Sequence, residues 1–277
     1  QKIHFEHLSY RLNFRPDEIN RIFVVSKTNW MITNKDVKFI KSLQLKKYRN
    51  RENAFVVEGE KNLLELLKSN LEISQLYLTE NFQAKHEYIL KMSLSSFEST
   101  NEKELVKAGS YQTNQAGIAV VVIPKLPPVN LQHGLFLAFD NVQDPGNLGT
   151  IIRIADWYGF KEIICSKDSV DAYNPKTISA TMGSFTRINV HYENIGSLIS
   201  QAKIPVYGAV LDGASIHETP FKEHGIFLFG NESQGISDPL QASINYKIKI
   251  PGYGQAESLN VAIATAVVCD NVRRILR

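Results

Sequence analysis

Five short strand-like runs in the second half of the chain constrain its fold more than any other feature of the sequence. They occupy residues 135–139, 162–165, 206–211, 226–229 and 246–250. Most of these runs are continuously apolar rather than alternating, which is typical of strands that are buried on both faces. Helical stretches lie between them, so the sequence predicts an α/β fold with a parallel sheet covered by helices. Ligands of such sheets bind beyond the carboxyl ends of the strands, and we expect the functional site there.

A smaller α/β domain is predicted ahead of this sheet. It begins with a basic helix and continues with alternating strand and helix patterns at residues 33–53, 54–58, 61–69, 73–78 and 117–123. Pro124, Pro127 and Pro128 then make a stiff segment in which two domains would join.

The predicted domain bounds follow from these signals: 31–124 for the first domain, 125–128 for the linker and 129–277 for the second. Residues 1–30 carry charges throughout and lack the apolar centre of a signal peptide. Met31 precedes a helix-start signal and resembles an initiation point. We therefore treat residues 1–30 as an extension of uncertain status, without an assigned function.

Composition narrows the class of protein. The chain has 277 residues, of which 43% are hydrophobic and 21% are charged, as in a soluble globular protein. No apolar run approaches the roughly 18 residues of a membrane span. The two cysteines cannot build a disulfide framework, and no spacing of cysteine or histidine is typical of a metal site. We therefore expect a reduced cytoplasmic protein with neither a metal nor a membrane segment.

The net charge of +3 is mild, but positive charge is concentrated in the first predicted helix. Between Lys35 and Arg51 there are seven basic residues and one acidic residue, Asp36. Such a stripe is typical either of a solvated helix face or of a surface that binds nucleic acid. The charge alone leaves both interpretations open.

The first of three polar loops follows the strand at residues 135–139. It contains the turn and cap formers Asn141, Asp144, Pro145 and Asn147. A helix that begins at Asn147 or Leu148 would present free backbone N–H groups to an anion, and Arg153 would add a permanent positive charge. A capped turn with a surface arginine explains the same residues.

Two further loops follow later strands. One contains Gly230 and Glu232, and its glycines would let a ligand approach the backbone closely. The other contains Ser258 and Asn260 beside two glycines, and Ser258 is the expected N-cap of the last helix, predicted over residues 259–276. Ordinary strand-to-helix turns would explain each loop taken singly.

Together the three loops resemble the ordered motifs of the SpoU (TrmH-like) branch of the SPOUT superfamily of RNA ribose 2′-O-methyltransferases. The family motifs are N-x-x-D-P-x-N-x-G-x-x-x-R, then G-N/A-E-x-x-G, then I-P-M-x-G-x-x-x-S-L-N-V, and this chain has them in that order. One departure is Gly252, where the family has methionine. The basic helix followed by Phe55-Val-Val-Glu-Gly59 resembles the small substrate-binding domain of ribosomal RNA methyltransferases. The resemblance thus extends over residues 32–277.

This resemblance implies a parallel sheet whose C-terminal segment threads a loop, giving a deep trefoil knot, which periodicity alone would never suggest. It also implies a small α/β domain ahead of the sheet, with a fold that is shared by a small ribosomal protein. A homodimer with the active site at the shared interface is a further implication. The small residues Ala262, Ala266 and Cys269 on the last helix are a candidate face for that packing.

S-adenosylmethionine is the implied cofactor, held largely by backbone at Gly230, Ile250 and Leu259. The implied reaction transfers its methyl group to a ribose 2′-oxygen of RNA. Arg153 is the implied catalytic residue. Because arginine stays protonated in proteins, we interpret it as a phosphate clamp or a stabiliser of the developing alkoxide.

The remaining implied site residues divide into two groups. Asn141, Glu232, Ser258 and Asn260 would orient Arg153, the nucleotide and the loops by hydrogen bonds. RNA phosphates would contact Lys46, Lys47, Arg49 and Arg51.

The resemblance favours 23S ribosomal RNA as the substrate, because the accessory domain is typical of ribosomal RNA enzymes, and it leaves transfer RNA as an alternative. A catalytically silent RNA-binding factor in ribosome assembly is another alternative, although retention of the motif residues disfavours it. A dinucleotide-dependent oxidoreductase is disfavoured because the chain lacks G-x-G-x-x-G after a strand.

Overall fold

The computed structural model describes residues 31–93 and 96–276, and the expectations for residues 1–30 lie outside these ranges. The described residues form two sheets, each with its own helices. No helix in this part of the chain is long and apolar enough to cross a membrane.

The first sheet is built from residues of the predicted smaller domain. Its strands are β1 (Ala54–Glu58), β2 (Ile73–Thr79), β3 (Glu98–Thr100) and β4 (Gly117–Val122). They lie in the order β1-β4-β2-β3, with β4 antiparallel to β1 and β2, and β3 parallel to β2. The helices around them are α1 (Asn34–Ser42), α2 (Lys46–Glu52), α3 (Glu60–Leu67), α4 (Glu80–Lys85), α5 (Glu87–Met92) and α6 (Glu102–Ala108).

The basic helix predicted over residues 33–53 is divided into α1 and α2. Leu45, between them, has an extended backbone with φ −100° and ψ 131°. Arg49 turns back and donates hydrogen bonds from Nη1 to the carbonyl oxygens of Leu43 at 2.8 Å and Gln44 at 2.9 Å. These bonds satisfy carbonyls that the end of α1 would leave unpaired. The prediction of one continuous helix is therefore wrong.

The second sheet contains β5 (Leu135–Phe139), β6 (Glu162–Ser166), β7 (Asn189–Glu193), β8 (Val206–Ser215), β9 (Gly225–Phe229) and β10 (Tyr246–Lys249). Their order is β10-β8-β9-β5-β6-β7, and every pairing between them is parallel. The predicted parallel sheet is confirmed. The chain runs from β5 to β6 and β7 on one side and then returns to the other. Strand order therefore reverses between β5 and β9, where parallel sheets open a crevice for ligands.

Helices cover both faces of this sheet. They are α7 (Pro145–Trp157), α8 (Pro175–Thr181), α9 (Ile195–Ser200), α10 (Asp238–Gln241) and α11 (Val261–Ile275), with a short 3-10 turn at Ser184–Thr186. Leu137 and Phe139 of β5 enter the core beneath α7 and α11, whereas Phe136 and Ala138 enter the core beneath α9 and α10. Because alternate residues of one strand fill different cores, the strand is apolar throughout.

The segment 171–187 packs against the first sheet and joins the two halves of the molecule. Ile178 of α8 lies in the hydrophobic core of the first sheet. The ring of Phe55 in β1 lies 4.6 Å from that of Tyr173 and 6.0 Å from that of Phe185, measured between centroids. The junction is therefore a shared apolar core rather than a contact between two polar surfaces.

Arg187 adds an ion network to this junction. Its Nη2 lies 2.8 Å from Asp156 Oδ2 and its Nη1 lies 2.6 Å from Glu65 Oε2, so one guanidinium connects α7 to α3. Burial alone would raise the pKa of both carboxyl groups. The hydrogen bonds from Lys61 and Arg187 nevertheless hold the pKa of Glu65 below its ordinary value. Those from Arg187 and Ser184 do the same for the pKa of Asp156.

Replacing Arg187 by methionine should lower the free energy of unfolding at about pH 7 by about 1 kcal/mol, because partly exposed ion pairs contribute that order. Both carboxylates have lowered pKa values in the folded chain. Their contribution is complete above the ordinary values of 4.5 for Glu65 and 3.8 for Asp156, and it is lost as the pH falls through the lowered values. Denaturant unfolding at several pH values measures both effects.

The control for Arg187→Met is Lys247→Met, which removes an ion pair within the second sheet whose cation is similarly exposed and whose carboxylate, on Asp212, is more exposed. We expect a smaller loss there, since the Lys247 pair does not join the two halves. Two outcomes would contradict a stabilising role of the Arg187 ion pairs at the junction. One is an equal loss of stability in both variants, and the other is a loss for Arg187→Met that does not shrink in acid.

Candidate active site

Three loops follow the carboxyl ends of β5, β9 and the edge strand β10, and they meet beside the reversal point. We name them loop 1 (residues 140–144), loop 2 (residues 230–237) and loop 3 (residues 250–260). Asn147 in the first turn of α7 links the last two. Its Nδ2 donates to Glu232 Oε1 at 2.7 Å, and its Oδ1 accepts from Asn260 Nδ2 at 2.9 Å. Sequence reasoning identified Asn147 only as a turn former, although its place in the first motif was a signal.

Loop 1 is fixed mainly at Asn141, which has a positive φ of 63°, a conformation that asparagine tolerates better than most residues. Its N–H donates to Ser166 Oγ at 2.8 Å, and its carbonyl oxygen accepts from Asn231 Nδ2 at 2.8 Å. Its side-chain oxygen accepts a hydrogen bond from Gln143 Nε2. Asn141 is thereby held between the end of β6 and loop 2.

The helix after loop 1 begins at Pro145, earlier than the predicted start at Asn147 or Leu148. Asp144 is the N-cap, and its side chain accepts from the N–H of Asn147 at 2.8 Å. Proline is well suited to the first helical position, where no N–H is needed. The predicted start was late because the cap precedes the proline.

Loop 2 closes on itself in a tight turn. Asn231 and Gly235 exchange two backbone hydrogen bonds, of 3.0 and 2.9 Å. A Cβ at Gly230 would lie 2.0 Å from the carbonyl carbon of Gly235, so only glycine fits there. The turn leaves Glu232 exposed, with its carboxylate on Asn147. Asn231 was missed as a site residue, although the second motif contains it.

Loop 3 is open to solvent and ends at a cap that differs from the predicted one. Asn260, not Ser258, caps α11, because its side chain accepts from the N–H groups of Ala262 and Ile263. Residues 251–259 make no hydrogen bond to any described residue. Their backbone donors and acceptors are therefore available to a ligand.

The predicted cofactor contacts differ in exposure. Gly230 is half-buried in the turn of loop 2, and Ile250 packs against the sheet core. Leu259 is 49% exposed at the end of loop 3. The three residues lie on the two loops that Asn147 joins.

Three of the predicted catalytic residues are connected by hydrogen bonds. Glu232 and Asn260 both bind Asn147, and Asn141 binds Asn231, the neighbour of Glu232. The other two predicted residues are not part of this set. Arg153 and Ser258 are exposed, and neither side chain makes a hydrogen bond to a described residue. Arg153 lies further along α7 from Asn147. A guanidinium without a partner in the described chain is available for an anion such as a phosphate.

The two cysteines are not candidate nucleophiles. Burial raises the pKa of the Cys165 thiol to about 12 and also raises that of Cys269, and both side chains lie in the core beneath α7 and α11. The described ranges contain no group of histidine, cysteine and carboxylate side chains that could hold a metal ion.

The predicted RNA contacts on α2 do not all face solvent. Lys46, Lys47 and Arg51 are exposed, whereas Arg49 is only 2% exposed and its Nη2 lies 2.6 Å from Asp171 Oδ2. A direct contact of Arg49 with RNA is therefore wrong, because its guanidinium is already enclosed. The charge count could not distinguish the inward arginine from its outward neighbours.

The exposed part of α2 lies next to the second sheet. Lys46 Nζ is 5.8 Å from the ring centroid of Tyr192, which ends β7 with Glu193. The guanidinium of Arg51 lies 4.7 Å from the ring of Tyr48. The basic surface is thus on the same side of the sheet as the strand ends that carry the three loops.

Two family models match the chain. The model of the SpoU rRNA methylase family matches residues 134–270, and that of the MRM3-like substrate binding domain matches residues 34–119. The chain is 33% identical over 249 residues to the 23S rRNA (guanosine(2553)-2'-O)-methyltransferase RlmP of Bacillus subtilis. This alignment covers 87% of the present chain and 96% of that relative.

Solved structures agree with these matches. A TrmH-family protein from Porphyromonas gingivalis is 35% identical, with a TM-score of 0.78 over 88% of this chain and 99% of its own. An rRNA methyltransferase from Sinorhizobium meliloti, solved with bound AdoMet, is 29% identical, with a TM-score of 0.80. The superposition covers 90% of this chain and 98% of the Sinorhizobium meliloti chain. The similarity extends over both sheets.

Changing Asn147 to aspartate should loosen loop 2 without weakening α7. A carboxylate there would repel Glu232, whereas an acidic residue in the first turn of a helix is favourable. We expect amide exchange of Asn231 and Gly235 to accelerate about tenfold, which corresponds to about 1.4 kcal/mol. Hydrogen exchange followed by mass spectrometry measures it.

The matched control is Thr150→Val, which removes a hydroxyl bond to Gly146 within the same helix. Exchange in loop 2 should stay unchanged in that variant. Unchanged exchange in Asn147→Asp as well would mean that the Asn147 bridge does not hold the loops.

Proposed function

Because the chain belongs to the SpoU rRNA methylase family, we propose that it transfers a methyl group from S-adenosylmethionine to a ribose 2′-oxygen of RNA. The observation that carries this proposal is the Asn147 junction, which joins the second and third motif loops beside the first at the reversal point of a parallel sheet. The proposed substrate is 23S ribosomal RNA, which the name of the Bacillus subtilis relative gives for that enzyme.

The residues present are suited to the cofactor. An adenosine moiety needs backbone donors and acceptors, and residues 251–259 offer unpaired ones. The exposed side chain of Leu259 can cover apolar atoms, and the tight turn at Gly230 keeps loop 2 close to its strand. Gly230, Ile250 and Leu259 are the residues that would hold the group. When bound, S-adenosylmethionine supplies a methyl group that is already activated by the neighbouring sulfonium charge.

Arg153 would bind the RNA phosphate next to the target ribose and stabilise negative charge on the 2′-oxygen as the hydroxyl proton passes to solvent water. A guanidinium can do this without losing its own proton, so no arginine of lowered pKa is required. Its exposure and its lack of a partner in the described chain support this role. Holding the ribose in line with the methyl group would supply a large share of the rate, up to about 7–11 kcal/mol.

The hydrogen-bonded asparagines would keep the loops in position for that alignment. Asn141 fixes loop 1, and Glu232 and Asn260 share Asn147. Ser258 makes no hydrogen bond to a described residue, and we assign it to the nucleotide or cofactor rather than to the loop scaffold.

The proposed fold includes a trefoil knot. β10 is an edge strand, and the chain that leaves it must cross the ends of β8 and β9 to reach α7, against which α11 packs. Asn260 of this crossing segment and Glu232 of loop 2 both bind Asn147, so the two segments lie together where threading would occur.

We also retain the domain bounds 31–124, 125–128 and 129–277, since the two family models match on either side of the linker.

We further propose a homodimer formed through α7 and α11. Both helices expose a large apolar side chain, Trp157 at 84% and Ile263 at 53%. The small residues Ala262 and Cys269 cannot provide the packing face suggested for them, because they are buried inside the same chain.

Cytoplasmic location is part of the proposal, and the two free thiols support a reducing compartment.

The test is transfer of labelled methyl from S-adenosylmethionine to total RNA from a strain that lacks this gene, with mapping of the 2′-O-methylated nucleotides. We expect one labelled ribose in 23S RNA, and about 100- to 1000-fold lower kcat for Arg153→Ala. The control is the exposed Lys203→Ala, which should keep the wild-type rate. Full turnover by both Arg153→Ala and Asn141→Ala would reject their roles.

The same assay separates the other functions. A labelled transfer RNA would keep the chemistry and reject the ribosomal substrate. No transfer, with RNA binding intact, would favour a catalytically silent assembly factor.

RNA binding through α2 has its own test. Changing Lys46, Lys47 and Arg51 to glutamine should weaken binding and reduce the slope of log affinity against log salt by about 2, since each phosphate contact contributes about 0.7 with single strands. The control changes Lys85, Lys91 and Lys103, which carry the same charge elsewhere on that half of the molecule. Equal slopes in the two triple variants would reject α2 as the RNA surface.

A further inference from the structure

Arg49 is enclosed within a helix whose other basic side chains face solvent. Its Nε and Nη2 donate to Asp171 Oδ2 at 2.8 and 2.6 Å, while Nη1 binds the carbonyl oxygens of Leu43 and Gln44. The arginine therefore holds the end of α1 and, through Asp171, the segment between β6 and α8 at once. A planar fork of donors makes this arrangement rigid, which a lysine cannot reproduce.

Asp171 belongs to a segment that also holds loop 1. Val170, next to it, donates its N–H to the carbonyl oxygen of Val142 at 2.8 Å. Earlier in the same segment, Gln143 Nε2 donates to the carbonyl oxygen of Asp168 at 2.8 Å. A series of contacts thus connects α2 to loop 1, in which residues 166–171 are hydrogen-bonded to Arg49 at Asp171 and to loop 1 at Ser166, Asp168 and Val170.

This series is not what keeps the two halves of the molecule together. The apolar junction around Ile178, the Tyr111 hydroxyl bonded to Ser179 Oγ at 2.8 Å and the Arg187 network all lie elsewhere. Buried ion pairs are weak net contributors to stability as long as neither charge is left without its partner, and their best-attested use is to select one arrangement among several. Arg49 can therefore be altered while the two halves stay docked.

We propose that Arg49 is a positioning residue that sets the register between the RNA-binding surface of α2 and loop 1. Through Asp171 it fixes how far the cations Lys46, Lys47 and Arg51 lie from the loop that receives the ribose. That distance determines which nucleotide of a bound RNA reaches the site. The proposal rests on the proposed function, because it concerns the choice of nucleotide in that reaction.

Two conservative variants test it. Arg49→Lys keeps the positive charge and loses the planar set of guanidinium donors. Asp171→Glu keeps the negative charge and lengthens the side chain by one methylene. We expect KM for RNA to change less than about twofold, because the exposed cations remain, and kcat to fall roughly 10- to 100-fold, as expected for misplaced reactants. Mapping of the product should detect methylation at neighbouring nucleotides beside the original one.

The matched control is Tyr111→Phe, which removes a different hydrogen bond between the two halves and leaves the series intact. It should methylate the original nucleotide alone, at close to the wild-type rate. A single unchanged nucleotide in both Arg49→Lys and Asp171→Glu would overturn the proposal. So would a spread of sites in the control, since loosened docking in general would then be the cause.

A distance measurement separates this proposal from the proposed function. Spin labels at Asn50→Cys on α2 and at Gln201→Cys, both exposed, report the distance of α2 from the second half by double electron–electron resonance, while the native cysteines are buried. We expect a broader distribution in Arg49→Lys than in the wild type or in Tyr111→Phe. An unchanged distribution contradicts the proposal. Absence of methyl transfer by the wild type contradicts only the function.

Discussion

The pairing of β5 with β9 is the interaction on which the candidate site depends. The chain passes through β6, β7 and β8 before β9 returns to lie beside β5. The rings of Phe139 and Phe229 stack at 5.2 Å, and the pairing continues past the strands, with the N–H of Asp140 donating to the carbonyl oxygen of Phe229 at 2.8 Å. Loops 1 and 2 leave from this pair, so Asn141 and Asn231 meet only because the strands do.

Much of this arrangement could be predicted from the sequence, because it is encoded locally. Continuous apolar runs predict strands buried on both faces, and the motif loops follow three of them. The bridging role of Asn147 could not be predicted, since its partners lie 85 and 113 residues away. The inward turn of Arg49 depends on Asp171, 122 residues away, and a count of charges contains no information about such a partner. The caps of α7 and α11 were misassigned because several cap-forming residues precede each helix.

The junction between the two halves of the chain resembles the interior of a single domain more than an interface between two polar surfaces. Ile178 is 2% exposed and belongs to the core around Phe55, although α8 is part of the second half. A Cβ at Gly183 would lie 2.3 Å from Glu65 Cγ, so the segment after α8 also approaches α3 very closely. Most domain pairs within one chain meet through polar interfaces and move relative to each other. An RNA bound to the first half, as proposed, would therefore have a defined orientation to the strand ends of the second.

The absence of hydrogen bonds from residues 251–259 to the described chain has a thermodynamic consequence. Such a segment retains conformational entropy until something binds it, and ordering each backbone residue costs about 1–2 kcal/mol. The first ligand to organise the segment bears that cost, and a second ligand that contacts the same residues meets a surface already arranged. Two ligands that both contact this segment would therefore bind with positive cooperativity even if they never touch each other.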